Sequence, residues 1–161
     1  MQGSVKLEII DRRNFIITGT AAAALSLLIG ESAAAGAEAG ASAYEVELAK
    51  VIGNAKPEES KALTFELPEI AENGNTVPFT ITYDGDMTGK DAVKSFHLIA
   101  SGNPLPAVAT YHFSALSGRA AVASRMRLAK TQDVVVIAAM ADGRFLLAKR
   151  AVKVTIGGCG G

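Results

Sequence analysis

The residue whose setting suggests chemistry most directly is Cys159, the one cysteine of this 161-residue chain. It lies in the ending Gly157-Gly158-Cys159-Gly160-Gly161, so four glycines flank it. Glycine has no side chain to pack and the largest backbone freedom, so these glycines are predicted to form a flexible arm. The three residues from Ile156 to Cys159 can extend about 10 Å. The pattern therefore predicts a thiol that can be presented inside the active site of another protein.

The sequence around Cys159 favours a covalent carrier over an enzyme. A nucleophilic cysteine enzyme needs a base and an oxyanion site beside the thiol. No His, Lys or Arg adjoins Cys159, so no sequence neighbour favours the thiolate. Any activation is therefore expected to come from a partner protein. Two alternatives stay open from the residues alone: a dispensable tail with a chance cysteine, and an exported interaction module that dimerises through a Cys159 disulfide.

Histidines and total charge exclude several other functions. His97 and His112 fall on predicted strands, and with a single cysteine they are not expected to form a metal centre. The chain has 16 basic and 16 acidic residues, so it has no bulk electrostatic attraction for nucleic acid. No metal, no other cofactor and no nucleic-acid partner are therefore expected.

Four cations fall on the outward positions of two predicted strands. Arg125 and Arg127 share one strand, and Lys149 and Lys153 share another. The simplest interpretation is an ordinary solvated face. The alternative is a surface that steers anionic intermediates or docks an acidic partner.

Residues 1–35 are predicted to be an export signal. Arg12-Arg13 precedes an apolar stretch from Phe15 to Gly30, and Ala33-Ala34-Ala35 offers small residues for cleavage. The run from Asp11 to Ile16 resembles the twin-arginine export signal, although Asp11 replaces the usual Ser or Thr. The apolar stretch is shorter than the about 20 residues of a stable membrane span. The sequence therefore predicts cleavage, a periplasmic location and no membrane anchor.

The remaining chain is predicted to be an all-β, immunoglobulin-like antiparallel β-sandwich with a short N-terminal helix. Residues 36–60 form a tether and a helix at 44–53, where apolar residues recur at helical spacing. Residues 61–156 form the sandwich and residues 157–161 the carrier arm. Period-two alternation and turn signals predict about seven strands, at 62–67, 76–83, 92–100, 106–113, 119–128, 132–141 and 144–156.

The last predicted strand sets where the arm begins. Alternation predicts that Val152, Val154 and Ile156 face the core while Lys153 and Thr155 face outward. Ile156 is thus expected to be the last residue held in place by packing.

The ending from Val152 to Gly161 resembles the sulfur-carrier Y subunit family of the Sox thiosulfate-oxidising system. Three internal runs resemble the same family: Val93-Lys94-Ser95-Phe96-His97, Asn103-Pro104-Leu105-Pro106 and Arg125-Met126-Arg127-Leu128-Ala129. The resemblance covers essentially the whole chain, and its Gly-Gly-Cys-Gly-Gly ending is the most specific part.

This resemblance implies a carrier cycle in the periplasm rather than a catalytic activity. It implies a heterodimer with SoxZ, and Cys159 as the residue to which the SoxXA cytochrome complex joins thiosulfate oxidatively. The SoxB hydrolase would then release sulfate, and in some organisms the sulfur dehydrogenase SoxCD would oxidise the remaining sulfur. The only bound groups implied are sulfur intermediates on Cys159, namely an S-thiosulfonate and a persulfide.

A different sulfur-carrier chemistry is also compatible with a Gly-Gly ending. Ubiquitin-like carriers convert a C-terminal Gly-Gly to a thiocarboxylate. That reaction requires ATP, which an exported protein would not meet, and the predicted strands lack the helix of a ubiquitin-like fold. It predicts dependence on Gly161, whereas thiol chemistry predicts dependence on Cys159.

Overall fold

The computed structural model describes residues 41–157. The predicted export signal with Arg12 and Arg13 lies outside the described residues, as do Gly158, Cys159, Gly160 and Gly161. No helix within residues 41–157 is long and apolar enough to cross a membrane.

An α-helix, α1, spans Ala43–Ile52, within one residue of its prediction. A capping box starts it: the Glu45 N–H donates to Ser42 Oγ at 3.2 Å, and the Ser42 N–H donates to Glu45 Oε2 at 2.6 Å. Hydrogen bonding from Ser42 to the Glu45 carboxylate, first from its backbone N–H and then from its side chain, lowers the pKa of Glu45 because it favours the charged form. The helix ends before Gly53, whose φ of 57° ends the helical conformation.

Nine strands follow the helix within the described residues, and seven of them match the predicted strands. Their bounds are β1 Glu58–Glu59, β2 Leu63–Glu66, β3 Ile70–Asn73, β4 Val77–Tyr83, β5 Val93–Ala100, β6 Ala107–His112, β7 Ala121–Met126, β8 Gln132–Met140 and β9 Phe145–Ile156. The two strands absent from the prediction, β1 and β3, are 2 and 4 residues long. β1 is too short to show alternation, and β3 has only one buried residue, Ala71, whereas the equally short β2 alternates buried Leu63 and Phe65 with exposed residues.

The strands form two sheets, which confirms the predicted all-β sandwich. The larger sheet has the order β1-β9-β8-β5-β6, with β3 also paired to β9, and the smaller has the order β2-β4-β7. The pairs of β9 with β1 and with β3 are parallel, and the other pairs are antiparallel. β9 therefore has three strand neighbours, which hold it along its length.

The hydrophobic core lies between the two sheets. Phe65 and Ile81 of the smaller sheet and Phe96 and Val136 of the larger are at most 1% exposed. The larger sheet is covered on its other face as well, where α1 contacts β5 and Ile137 is fully buried. A strand covered on both faces is apolar throughout, which explains the continuous apolar run of β8.

Phe96→Ala is expected to destabilise the fold by about 3–5 kcal/mol, because it removes a fully buried ring. It also removes an edge-to-face contact with Phe113, whose ring centroid lies 4.9 Å away. Urea unfolding followed by circular dichroism measures the loss. The neighbouring exposed Lys94, replaced by Ala, is the control and should change the free energy of unfolding by less than about 0.5 kcal/mol. Equal stability of the two variants would contradict the core assignment.

Candidate functional site

The last strand, β9, ends three residues before Cys159, so the end of β9 is the part of the sandwich nearest that thiol along the chain. Pairing with β3 holds this end. The Lys153 N–H donates to the Glu69 carbonyl at 2.8 Å, and the Gly74 N–H donates to the Ile156 carbonyl at 2.8 Å. The Thr155 hydroxyl donates to the Glu72 carbonyl at 2.9 Å. Hydrogen bonds therefore fix β9 along its second half, as far as its final residue, Ile156.

The prediction that Ile156 faces the core is wrong, because its side chain is 68% exposed. The alternation itself is correct as far as Val152, which is 1% exposed, and Val154, which packs partly buried against the core. Beyond Val154, pairing with β3 extends β9 past the buried part of the sandwich. Ile156 is therefore held through its backbone and not by packing of its side chain.

Gly157, the last described residue, lies against the loop between β7 and β8. A Cβ on Gly157 would collide with the carbonyl oxygen of Ala129. Only glycine fits this close backbone approach. Gly157 therefore has a steric role in the sandwich, in addition to its predicted place at the start of the arm.

A side-chain hydrogen-bond network fixes the loop that contacts Gly157. Asn103 donates through Nδ2 to the Arg127 carbonyl at 2.9 Å and accepts the Ala129 N–H at Oδ1 at 3.0 Å. Gln132, only 8% exposed, donates through Nε2 to Asn103 Oδ1 at 2.9 Å and accepts the Gly102 N–H at 2.7 Å. Two loops that are distant in the sequence are thereby joined beside the residue that leads to Cys159.

Asn103→Ala is expected to destabilise the protein by about 1–3 kcal/mol, because the Ala129 N–H and the Arg127 carbonyl lose their partner. Thermal or urea unfolding measures the change. Asn75→Ala is the matched control, since Asn75 is exposed and only its backbone N–H is in a hydrogen bond, with Asn73. A control as unstable as the Asn103 variant would show that the network does not stabilise the loop.

The predicted cations do not form one surface. Arg125 and Arg127 are exposed at β7 and just after it, on the smaller sheet, whereas Lys149 and Lys153 are exposed on β9 of the larger sheet. The outward faces of the two sheets of a sandwich point in opposite directions. Lys149 is paired with Asp133 at 2.6 Å, and this hydrogen bond raises the pKa of Lys149. Lys153 is exposed near the end of β9.

The two histidines lie on neighbouring strands away from the end of β9. In the register of β5 and β6, His112 is opposite Ser95 and His97 is opposite Thr110. The His97 ring forms hydrogen bonds with Ser95 Oγ at 2.9 Å and Thr110 Oγ1 at 3.3 Å. Among residues 41–157, no three His, Cys, Asp or Glu side chains are grouped to hold a metal.

Stability is expected to fall when His97 is forced to take up a proton. Burial, and to a lesser degree His112, lower the pKa of His97 from the ordinary 6.5. The unfolded chain therefore binds the proton more tightly than the folded chain does. The stability that comes from neutral His97 is fully present above about pH 6.5 and is lost as the pH falls toward the pKa of the folded state. One titrating proton limits the slope to about 1.4 kcal/mol per pH unit, and solvent screening at this half-buried ring makes the slope smaller. Urea unfolding from pH 7.5 to 5 should show a smaller slope for His97→Gln, and an unchanged slope would contradict this origin.

The fold and the site together define a class of protein. It is a β-sandwich whose final strand is hydrogen-bonded along its length as far as its last residue, and a segment with a single glycine-flanked cysteine follows that strand.

The residues that fix the loop beside Gly157 are not recognisable as a site in the sequence. Asn103-Pro104 is a turn signal and belongs to one of the runs that resemble the Sox Y subunit family, but nothing in the sequence links it to Ala129 or Gln132.

Comparison with known proteins identifies the family. The model of the family described as sulfur oxidation protein SoxY matches residues 48–159, a range that includes Cys159. The solved structure of the sulfur carrier protein SoxY from Chlorobium limicola f thiosulfatophilum is 31% identical, with a TM-score of 0.57, over 68% of this chain and 89% of that one. The chain belongs to the SoxY family.

A second solved structure shares the fold alone. A superoxide reductase (neelaredoxin) from Ignicoccus hospitalis is 17% identical, with a TM-score of 0.50, over 60% of this chain and 82% of that one. No curated protein matches this sequence significantly.

Proposed function

We propose that this chain is a sulfur carrier of the Sox system that holds thiosulfate-derived sulfur covalently on Cys159. Membership of the SoxY family supports a sulfur-carrier role. The finer proposal is a non-catalytic subunit that presents the bound sulfur to partner enzymes and is their substrate. The oxidative and hydrolytic chemistry belongs to those partners.

The observation that carries the proposal is the geometry at Gly157. Gly157 packs closely against the Ala129 carbonyl oxygen, directly after a strand that is hydrogen-bonded as far as Ile156. Cys159 is two residues further, so its Cα lies within about 7 Å of a fixed point on the sandwich. The neighbouring glycines add no side chains that would obstruct entry into a narrow active site. A thiol tethered in this way suits delivery more than catalysis, which needs a fixed base beside it.

The proposed loading step forms one sulfur–sulfur bond. The Cys159 thiol and the sulfane sulfur of thiosulfate give an S-thiosulfonate, with release of one proton and two electrons to the SoxXA cytochrome complex. In the next step water attacks the sulfonate sulfur at SoxB, which breaks its bond to the sulfane sulfur and gives sulfate, a proton and a persulfide on Cys159. Where SoxCD is present, the persulfide sulfur is oxidised before a second hydrolysis.

The proposal places the protein in the periplasm as a heterodimer with SoxZ. Export through the twin-arginine route rests on residues 1–35, above all on Arg12 and Arg13. That route carries folded proteins, so a SoxZ partner without its own signal could be exported together with this chain.

Intact mass spectrometry tests the proposal. The protein is incubated with SoxZ, SoxXA and thiosulfate, and its mass is measured with and without a thiol reductant. The expected result is a reductant-labile addition of thiosulfate mass, absent from Cys159→Ser and replaced by an addition of one sulfur atom when SoxB is present. An unmodified mass under all of these conditions would overturn the carrier proposal.

The same measurement addresses the alternative interaction module. That hypothesis predicts a reductant-labile homodimer joined through Cys159, with no sulfur added to either chain. It also predicts that Cys159→Ser still supports thiosulfate oxidation, which the carrier proposal excludes.

A further inference from the structure

Asn73-Gly74 is the one Asn-Gly pair of this chain, and it joins three elements beside the end of β9. Asn73 is the last residue of β3 and is opposite Ile156 in the register of β3 and β9. The Gly74 N–H donates to the Ile156 carbonyl at 2.8 Å, and the Gly74 carbonyl accepts the Leu128 N–H at 2.8 Å. The pair therefore connects the last residue of β9 to the segment that follows β7.

An Asn-Gly pair is chemically labile, because glycine has no Cβ to obstruct the approach of its backbone nitrogen to the asparagine side chain. The Gly74 nitrogen loses its proton and attacks Cγ of Asn73. A new carbon–nitrogen bond forms, the bond from Cγ to Nδ2 breaks, and ammonia leaves with the proton. Water then opens the resulting succinimide at one of its two carbonyls, which gives aspartate or isoaspartate at position 73. The reaction consumes one water molecule and needs no oxidant, cofactor or enzyme.

The fold opposes the first step at the nitrogen that must attack. Gly74 is buried, and its N–H is held by the Ile156 carbonyl. The Asn73 carboxamide is held as well, since its Oδ1 accepts the Asn75 N–H at 2.9 Å. The Asn73 side chain is nevertheless exposed, so water reaches it once the Gly74 nitrogen is free. Opening of the hydrogen bond between Gly74 and Ile156 is therefore the event that controls the reaction.

We infer that Asn73 is a site of spontaneous deamidation and that the pairing of β3 with β9 sets its rate. Each opening of the end of β9 frees the Gly74 nitrogen, so deamidation records how often this end opens. Isoaspartate adds one carbon atom to the main chain just before Gly74. The Gly74 N–H then no longer lies opposite the Ile156 carbonyl, and the end of β9 stays released. The inference is independent of the proposed function, because the reaction involves neither Cys159 nor a partner enzyme.

Peptide mass spectrometry of aged protein tests the inference. The full chain is kept at mildly alkaline pH, either folded or unfolded in guanidinium chloride, and the peptide that contains Asn73 is followed over time. Deamidation of Asn73 is expected to be at least about tenfold slower in the folded chain. Asn54, which is exposed and precedes Ala55, is the internal control and should react more slowly than Asn73 in the unfolded chain. Equal rates for Asn73 in the two states would overturn the inference.

A variant that weakens the junction without changing Asn73 or Gly74 separates strand opening from local sequence. Thr155→Val removes the hydroxyl that donates to the Glu72 carbonyl at 2.9 Å. It should raise the rate of deamidation in the folded chain about three- to tenfold and leave the rate in the unfolded chain unchanged. Thr64→Val, at an exposed threonine of β2, is the matched control and should change neither rate. An unchanged rate in folded Thr155→Val would show that the end of β9 does not control the reaction.

The effect of isoaspartate on the end of β9 has its own readout. The isoaspartate form is separated by its added negative charge from protein that was aged in the folded state. Hydrogen exchange is then measured at the Leu128 and Lys153 amides, both of which donate to carbonyls of β3 or of residues that flank it. Asn73→Asp is the matched control, because it adds the same charge without lengthening the main chain. Exchange is expected to be at least about tenfold faster in the isoaspartate form than in the control. Equal exchange in the two would overturn release of the strand.

Discussion

Cys159→Ser is expected to reduce thiosulfate oxidation by a reconstituted Sox system to the rate measured without this chain. A serine hydroxyl cannot form the sulfur–sulfur bond that holds the intermediate, and the chain contains no second cysteine to replace it. The substitution lies beyond the last strand of the sandwich, so the unfolding curve should be unchanged. Sulfate release and cytochrome reduction measure the activity. Full turnover by the serine variant would contradict the carrier function.

A relocated thiol is the matched control for that variant. Ser124 is exposed on β7, opposite Phe79 of β4, and therefore lies within the smaller sheet. The double variant Cys159→Ser, Ser124→Cys keeps one accessible thiol but places it on a strand, where it cannot extend into another protein. It should react with iodoacetamide and still fail to support thiosulfate oxidation. Restored turnover would show that any exposed thiol suffices and that the terminal position of Cys159 is unimportant.

Much of the sandwich could be predicted from the sequence because its strands are long and their turns are chemically distinctive. β8 and β9 flank Asp142-Gly143, an Asp-Gly pair between two apolar runs that by itself predicts a hairpin, and Gly143 has a φ of 90° that other residues rarely adopt. The apolar periodicity of residues 44–53 likewise marked α1. Each of these signals is local, so no knowledge of the remaining chain was needed.

The support beside Gly157 could not be predicted, because it depends on contacts between residues far apart in the chain. Asn103 and Ala129 are 26 residues apart, and Gly102 and Gln132 are 30 apart. Ile156 was assigned to the core for a related reason. Alternation gives the face of a strand but does not show where the opposing sheet ends, and β3, which holds this end of β9, was not recognised. The sequence thus identified the candidate reactive residue and missed the structure that leads to it.

Gly157→Ala is expected to lower the rates of loading by SoxXA and of hydrolysis by SoxB about 10- to 100-fold, while the Cys159 thiol itself stays reactive. The added methyl group would collide with the Ala129 carbonyl oxygen, which Asn103 and Gln132 prevent from moving by fixing the loop. The chain must then leave the sandwich in a different direction. Misplacement of a reacting group by about 1 Å is enough for a rate loss of this order.

Two measurements test this prediction, one of the reactivity of the Cys159 thiol and one of its delivery to partner enzymes. The rate of Cys159 alkylation by iodoacetamide should match the wild-type rate, whereas kcat/KM for loading by SoxXA and for hydrolysis by SoxB should both fall. Ile156→Val is the control, because it changes the adjacent exposed side chain without adding an atom near Ala129. Wild-type kcat/KM values for Gly157→Ala would mean that the following glycines compensate for any starting direction. The rigid end of the sandwich would then have no part in delivery. A loss confined to the alanine variant would instead show that a rigid sandwich end and a glycine-rich extension work together, the first setting direction and the second supplying reach.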